Sequence, residues 1–142
     1  MWSVSRRVDA RQVEQAIREA ERATSGEIRV SVAHFFWGDV GKVAARAFRE
    51  LGMEQTAERN GVLIFLVPSR KRFIVLGDSG VHAAVGQAFW DEVAACLGAH
   101  FQRGEFTEGL VAGVRLVGAR LAEHFPAGAE ARNELGDEVD FR

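Results

Sequence analysis

Three polar residues stand where apolar runs begin or end. Glu27 opens Glu27–Ala33, Asn60 directly precedes Gly61–Val67, and Asp78 sits in Gly77-Asp78-Ser79-Gly80 after Arg72–Leu76. Two carboxylates and an amide oxygen make a hard-oxygen set of the kind that calcium and magnesium take. Asp91, a little further along, is a fourth candidate ligand. The same residues also admit plainer roles. Asp78 can cap a following helix, Glu27 can form a surface ion pair with Arg59, and Gly77 and Gly80 can simply let the backbone turn.

Other patterns are negative. Gly77–Gly80 lacks the spacing and the Lys-Ser/Thr of a phosphate-binding loop, and no Gly-x-Gly-x-x-Gly follows a strand. Cys96 and Arg103 miss the cysteine-phosphatase spacing by one residue, and Cys96 reads as a small apolar helix residue. His34, His82, His100 and His124 show no zinc-ligand spacing. On the other side stand Phe35-Phe36-Trp37 and the turn Ser69-Arg70-Lys71. The aromatics are either an exposed contact patch or a core edge, and the turn either an anion contact or a solvated tip.

The elements that must position these groups follow from periodicity. Asp9 caps a helix whose apolar face is Val13, Ala16, Ile17 and Ala20, with Gly26 as its end. Glu27–Ala33 alternates at period two, the pattern of a strand with one less buried face. Val43, Ala44, Ala47, Phe48 and Leu51 mark a helix after Asp39 that stops at Gly52. Val62–Val67 and Arg72–Leu76 are continuous apolar strands joined by a turn too short for anything but an antiparallel hairpin. One helix carrying Val85, Phe89, Val93 and Leu97 then ends near Gly104, and another runs from Thr107 to Pro126, with Gly109 and Gly113 as close-packing positions against the sheet.

The order α-β-α-β-β-α-α predicts a small mixed sheet in an α/β/α sandwich: the first two strands parallel through a right-handed crossover, the third antiparallel. That topology brings Glu27, Asn60 and Asp78 to one rim and sends the Phe35–Trp37 loop and the Arg70–Lys71 turn to the other.

The length of 142 residues suits one domain, expected over residues 1–126, with 127–142 as a poorly ordered acidic tail. Residues 126–142 carry five acidic against two basic groups, and the net charge of −2 predicts no nucleic-acid binding. A single cysteine excludes an internal disulfide framework. No secretory leader or apolar span is read, which makes the expected address cytoplasmic. A protein partner stays open.

Taken together, Ser25-Gly26-Glu27-Ile28, Arg59-Asn60-Gly61-Val62-Leu63-Ile64, the Gly77–Gly80 turn and Phe101-Gln102-Arg103-Gly104-Glu105-Phe106 with Gly109-Leu110 and Gly113 resemble the TPM domain family over roughly residues 5–126. The resemblance implies an α/β sandwich and binding of a divalent cation, calcium above magnesium, through acidic strand-end loops. It also raises acid phosphatase activity, attributed to plant thylakoid relatives. Many members carry a signal sequence and a membrane anchor, and neither is read here. Many also show Gly-x-Gly-x-Glu after the third strand, where this chain has a longer turn and His82 near the glutamate position. The leading expectation is therefore a cation-binding domain with an accessory or regulatory role, using Asp78, Glu27 and Asn60, with Asp91 as a possible fourth. The alternatives are a metal-dependent acid phosphatase and a protein-interaction module.

Overall fold

The alternating and continuous apolar runs pair as one sheet because each offers a face that only another layer can cover. The computed structural model describes residues 7–128 and 135–142. In chain order the elements are α1 (Ala10–Glu21), β1 (Glu27–Val32), α2 (Val40–Glu50), a 3-10 turn (Met53–Gln55), β2 (Gly61–Val67), a second 3-10 turn (Pro68–Arg70), β3 (Arg72–Gly77), α3 (Ser79–Ala84), α4 (Gln87–Gln102), α5 (Phe106–His124) and β4 (Asp140–Phe141). The sheet order is β3-β2-β1-β4, with β1 parallel to both β2 and β4, and β3 antiparallel to β2.

Helices lie on both faces, as the α/β/α expectation requires. Ile28, Val30, Val32, Val62, Ile64 and Leu66 face α1, α4 and α5, while Leu63, Phe65 and Val67 face α2 and Met53. Asp9 caps α1 by accepting from the Arg11 and Gln12 amides, and Asp39 caps α2 by accepting from Lys42 N–H. Gly52 follows α2 with φ of 75°, a left-handed conformation that glycine reaches without a Cβ clash.

Several expectations need correction. The first helix stops at Glu21, well before Gly26, with Arg22 as its C-cap. The stretch 79–102 is two helices, because Val85 and Gly86 are extended and break the ladder between α3 and α4. Gly109 and Gly113 pack chiefly on α4: an added Cβ at Gly109 would meet His100 Cβ at 2.7 Å, and one at Gly113 would collide with the Leu97 side chain.

The largest difference lies in the acidic C-terminal stretch and in β1. Residues 129–134 of that stretch lie outside the described residues, but Asp140–Phe141 forms β4 against Ser31 and Val32. Consequently β1 is buried on both faces rather than one. Its polar face is covered because the C-terminal segment supplies partners: Arg29 donates to the Glu138 carbonyl at 3.1 Å, and Ser31 Oγ donates to Asp140 Oδ2 at 2.7 Å. A buried polar face is tolerable when its groups find such bonds. Among the described residues, no helix is long and apolar enough to cross a membrane.

Candidate functional site

Register places Glu27 level with Gly61, and the Asp78 amide donates to the Gly61 carbonyl at 3.0 Å. The rim predicted from topology therefore exists: Glu27, Asn60 and Asp78 arrive on three adjacent strands. What their side chains do there differs from residue to residue.

Asp78 grips Arg59. The guanidinium donates to both carboxylate oxygens, Nε to Oδ2 at 2.5 Å and Nη2 to Oδ1 at 2.8 Å, and the Ser79 amide adds a bond of 2.8 Å to Oδ1. Asp78 is thus the N-cap of α3, the plainer of its two expected roles, and also the clamp on the preceding turn. Its burial opposes ionisation, but the bonds from Arg59 and Ser79 outweigh it and hold the carboxyl below the usual aspartate range. Arg59 needs a clamp, because its φ of 53° is uncommon for a residue with a side chain. Gly80 completes the lock. Its N–H donates to the Arg59 carbonyl at 2.8 Å, and a Cβ there would drive into the Glu58 and Arg59 carbonyls. Gly80 therefore lets α3 seat directly on the Arg59-Asn60 turn, while Gly77 makes room for the Trp90 ring of α4.

That turn presents Asn60, which is fully buried. Its amide Nδ2 donates to Ser25 Oγ at 3.3 Å and to Glu58 Oε2 at 3.4 Å, while Ser25 Oγ donates to the same Glu58 oxygen at 2.7 Å. The backbone is tied as well, Asn60 N–H to Thr56 Oγ1 and Glu27 N–H to the Asn60 carbonyl. Asn60 Oδ1 is buried and has no hydrogen-bond partner. A sealed amide oxygen of this kind costs stability unless something donates or coordinates to it.

Glu27, also buried, lies within electrostatic reach of Glu21 at the end of α1. Glu21 Oε2 accepts from the Ile28 amide at 2.9 Å, closing the part of the β1 edge that β4 does not reach. Burial, then the charges of Glu27 and Asp137 and hydrogen bonding of the protonated carboxyl to Asp137, push Glu21 up to about 9 against the opposing pull of the Ile28 N–H. It therefore holds its proton at neutral pH. Asp91 goes elsewhere: it accepts from Gln87 in its own helix at 2.9 Å and borders a cleft with Phe73, His82 and Trp90.

Among the described residues, no group of three or more His, Cys, Asp or Glu side chains is set to hold a metal ion. Sequence reasoning passed over Ser25, Glu58 and Glu21. Ser25 opens one motif already singled out and Glu58 directly precedes another, whereas nothing in local spacing marks Glu21. Cys96 is half-buried on α4, and burial together with the Glu92 charge pushes its thiol up, away from the reactive thiolate.

A four-stranded mixed sheet between helical layers, with its polar rim closed by an arginine–aspartate clamp, defines the class of protein. The TPM domain profile matches residues 6–120, and the chain belongs to the TPM domain family. Among solved structures it is similar to the BA42 protein of the psychrophilic bacterium Bizionia argentinensis, with 33% identity and a TM-score of 0.90 over 100% of this chain and 97% of that one. The N-terminal domain of a P. gingivalis protein shares the fold alone, with 22% identity and a TM-score of 0.62 over 78% of this chain and 72% of that one. None of the curated proteins compared matches the chain.

Proposed function

We propose that the protein is a divalent-cation-binding domain with an accessory role, taking calcium in preference to magnesium at the Ser25–Asn60 corner of the rim. The observation that carries this reading is the buried Asn60 Oδ1 without a hydrogen-bond partner. Asn60 Nδ2, not Oδ1, faces Ser25 and Glu58, so a half-turn of the amide would bring its oxygen to the Glu58 carboxylate and the Ser25 hydroxyl, a hard-oxygen set with the Glu27 carboxylate on the adjoining strand. Two carboxylates are few for a calcium site, so affinity belongs at the weak end, with water completing the shell. Asp78 supports the corner through Arg59, and it becomes a ligand only where the ion displaces that guanidinium. Asp91 contributes no ligand in this reading.

Calorimetric titration with calcium tests it. The wild type is expected to bind saturably in the range of about 10⁻⁴–10⁻³ M. Glu58→Gln, on an exposed side chain, is expected to weaken binding several-fold, and Asp91→Asn to leave it unchanged. Absence of any saturable heat with calcium or magnesium at millimolar concentration defeats the proposal. Equal affinity in Asp78→Ala removes Asp78 from the ligand set while leaving the corner intact.

A further inference from the structure

The opposite rim carries a second kind of surface. Among the described residues, the exposed large hydrophobics are Phe35 at 54%, Trp37 at 90% and Phe141 at 38%. All three lie at the carboxyl end of β1 and of its parallel neighbour β4, since Val32 pairs with Phe141 and the chain leaves β1 into the 33–39 loop. Chance does not readily gather every such residue at one end of a domain, and exposed apolar groups so clustered mark contact surfaces.

The loop that presents them is built rather than loose. Phe36 turns inward onto the α2-side core, which forces its neighbours Phe35 and Trp37 outward. Those two rings meet edge to face at 5.1 Å. Arg70 binds the loop from the hairpin turn, its Nη1 donating to the Gly38 carbonyl at 3.3 Å and its guanidinium lying 5.6 Å from the Phe36 ring centre. Lys71 and Arg72 continue from Arg70 and are exposed, with Lys71 at the tip in a left-handed conformation, φ 49°. Of these three consecutive cations Arg70 contacts the aromatic loop, Lys71 Nζ donates to the Gln102 carbonyl at 3.4 Å, and Lys71 and Arg72 extend the basic turn along the same rim. The nearby acids are largely engaged: Asp39 in capping α2, and Asp140 and Glu50 with Arg142.

We infer that this rim docks on an anionic lipid bilayer, with Trp37 and Phe35 entering the headgroup region while Arg70, Lys71 and Arg72 lie against lipid phosphates. The combination of apolar rings and basic residues favours an anionic bilayer over a protein partner. A projecting Trp could equally fill a pocket on a protein partner, so what favours a bilayer is its company: a second exposed ring, Phe35, and a basic turn on the same rim. Trp is suited to the membrane interface because its ring is apolar with a polar N–H. Lys and Arg beside an anionic surface add attraction that falls off within a Debye length. Neither signal alone anchors a domain firmly, and the two together give reversible association.

The experiment is sedimentation of the full chain with vesicles of phosphatidylcholine alone or mixed with phosphatidylglycerol, in chelator so that cation bridging plays no part. Binding is expected only to the anionic vesicles, and to weaken as salt is added. Trp37→Ser and the double variant Lys71→Glu/Arg72→Glu are each expected to weaken it by about tenfold. All three side chains are exposed, and circular dichroism verifies that the variants keep the fold. No pelleting at low ionic strength overturns the inference, as does undiminished pelleting of Trp37→Ser. If vesicles bind nothing while the chain self-associates in a Trp37-dependent way, the patch joins protein to protein and the inference fails.

Discussion

Asp78 illustrates how one side chain can serve backbone and partner together. It caps α3 and holds Arg59 in a conformation that costs energy, so Asp78→Ala is expected to lower stability by about 1–2 kcal/mol, measured by urea unfolding. The pH dependence has a definite sign. Asp78 titrates below its ordinary range when folded, so its contribution is present above the unfolded pKa and is lost as pH falls through the lower folded value. Glu21 behaves in the reverse sense. Its pKa rises from 4.5 to about 9 on folding, so the associated stability is complete below 4.5 and declines as pH climbs through 9. Glu21→Gln keeps an acceptor for Ile28 N–H and needs no proton. It is expected to raise stability at pH 7 by about 1 kcal/mol and to flatten the profile between pH 4.5 and about 9, as denaturation across that range would reveal. If Glu21→Gln unfolds as steeply with rising pH as wild type, the protonated carboxyl is not the cause. At this scale the sequence was partly legible. Asp78 before a helix with glycines around it announces a cap, but Glu21 acquires its behaviour first from burial and then from the charges of Glu27 and of Asp137, which is more than a hundred positions away.

Helices and strands were the most readable level, because their signal is periodic. Asp39, Gly52 and the Val62–Leu76 hairpin stand where pattern and cap chemistry put them. The split between α3 and α4 was hidden because Val85 continues an apolar spacing that Gly86 interrupts by only one residue. The contact of α5 with α1 and α4 rests on absent side chains. At Gly118 a Cβ would lie 2.6 Å from Ala20 Cβ and 3.4 Å from its Cα, and neither atom can swing aside. Gly118→Ala is therefore expected to destabilise by about 1–3 kcal/mol despite alanine's better helix propensity, with the change read as a lower thermal midpoint. An unchanged or higher midpoint would mean that α1 and α5 separate without cost.

The molecule as a whole closes its sheet with a piece the sequence hardly advertised. Val139-Asp140-Phe141-Arg142 alternates apolar and charged, yet four residues of alternation after an acidic stretch are too few to announce a strand. The segment is fastened at several points: Val139 N–H to Glu14, Arg29 to the Glu138 carbonyl, Ser31 to Asp140, Arg142 to Glu50, and the His34 amide to the Arg142 carbonyl. Deleting residues 135–142 is expected to cost about 2–4 kcal/mol and to raise the tendency to aggregate, followed by denaturation and light scattering, because it uncovers β1 and leaves its outer edge open.

Ser31 and Asp140 are separated by 109 positions along the chain. Contacts of such span form late, after nearer partners have reduced the loop to be closed. A chain whose terminal segment has not yet docked would show a bare strand that any copy of the same terminal hook could clip onto. At high concentration during refolding, reciprocal exchange of these hooks between two molecules is the natural by-product, and dilution is its remedy.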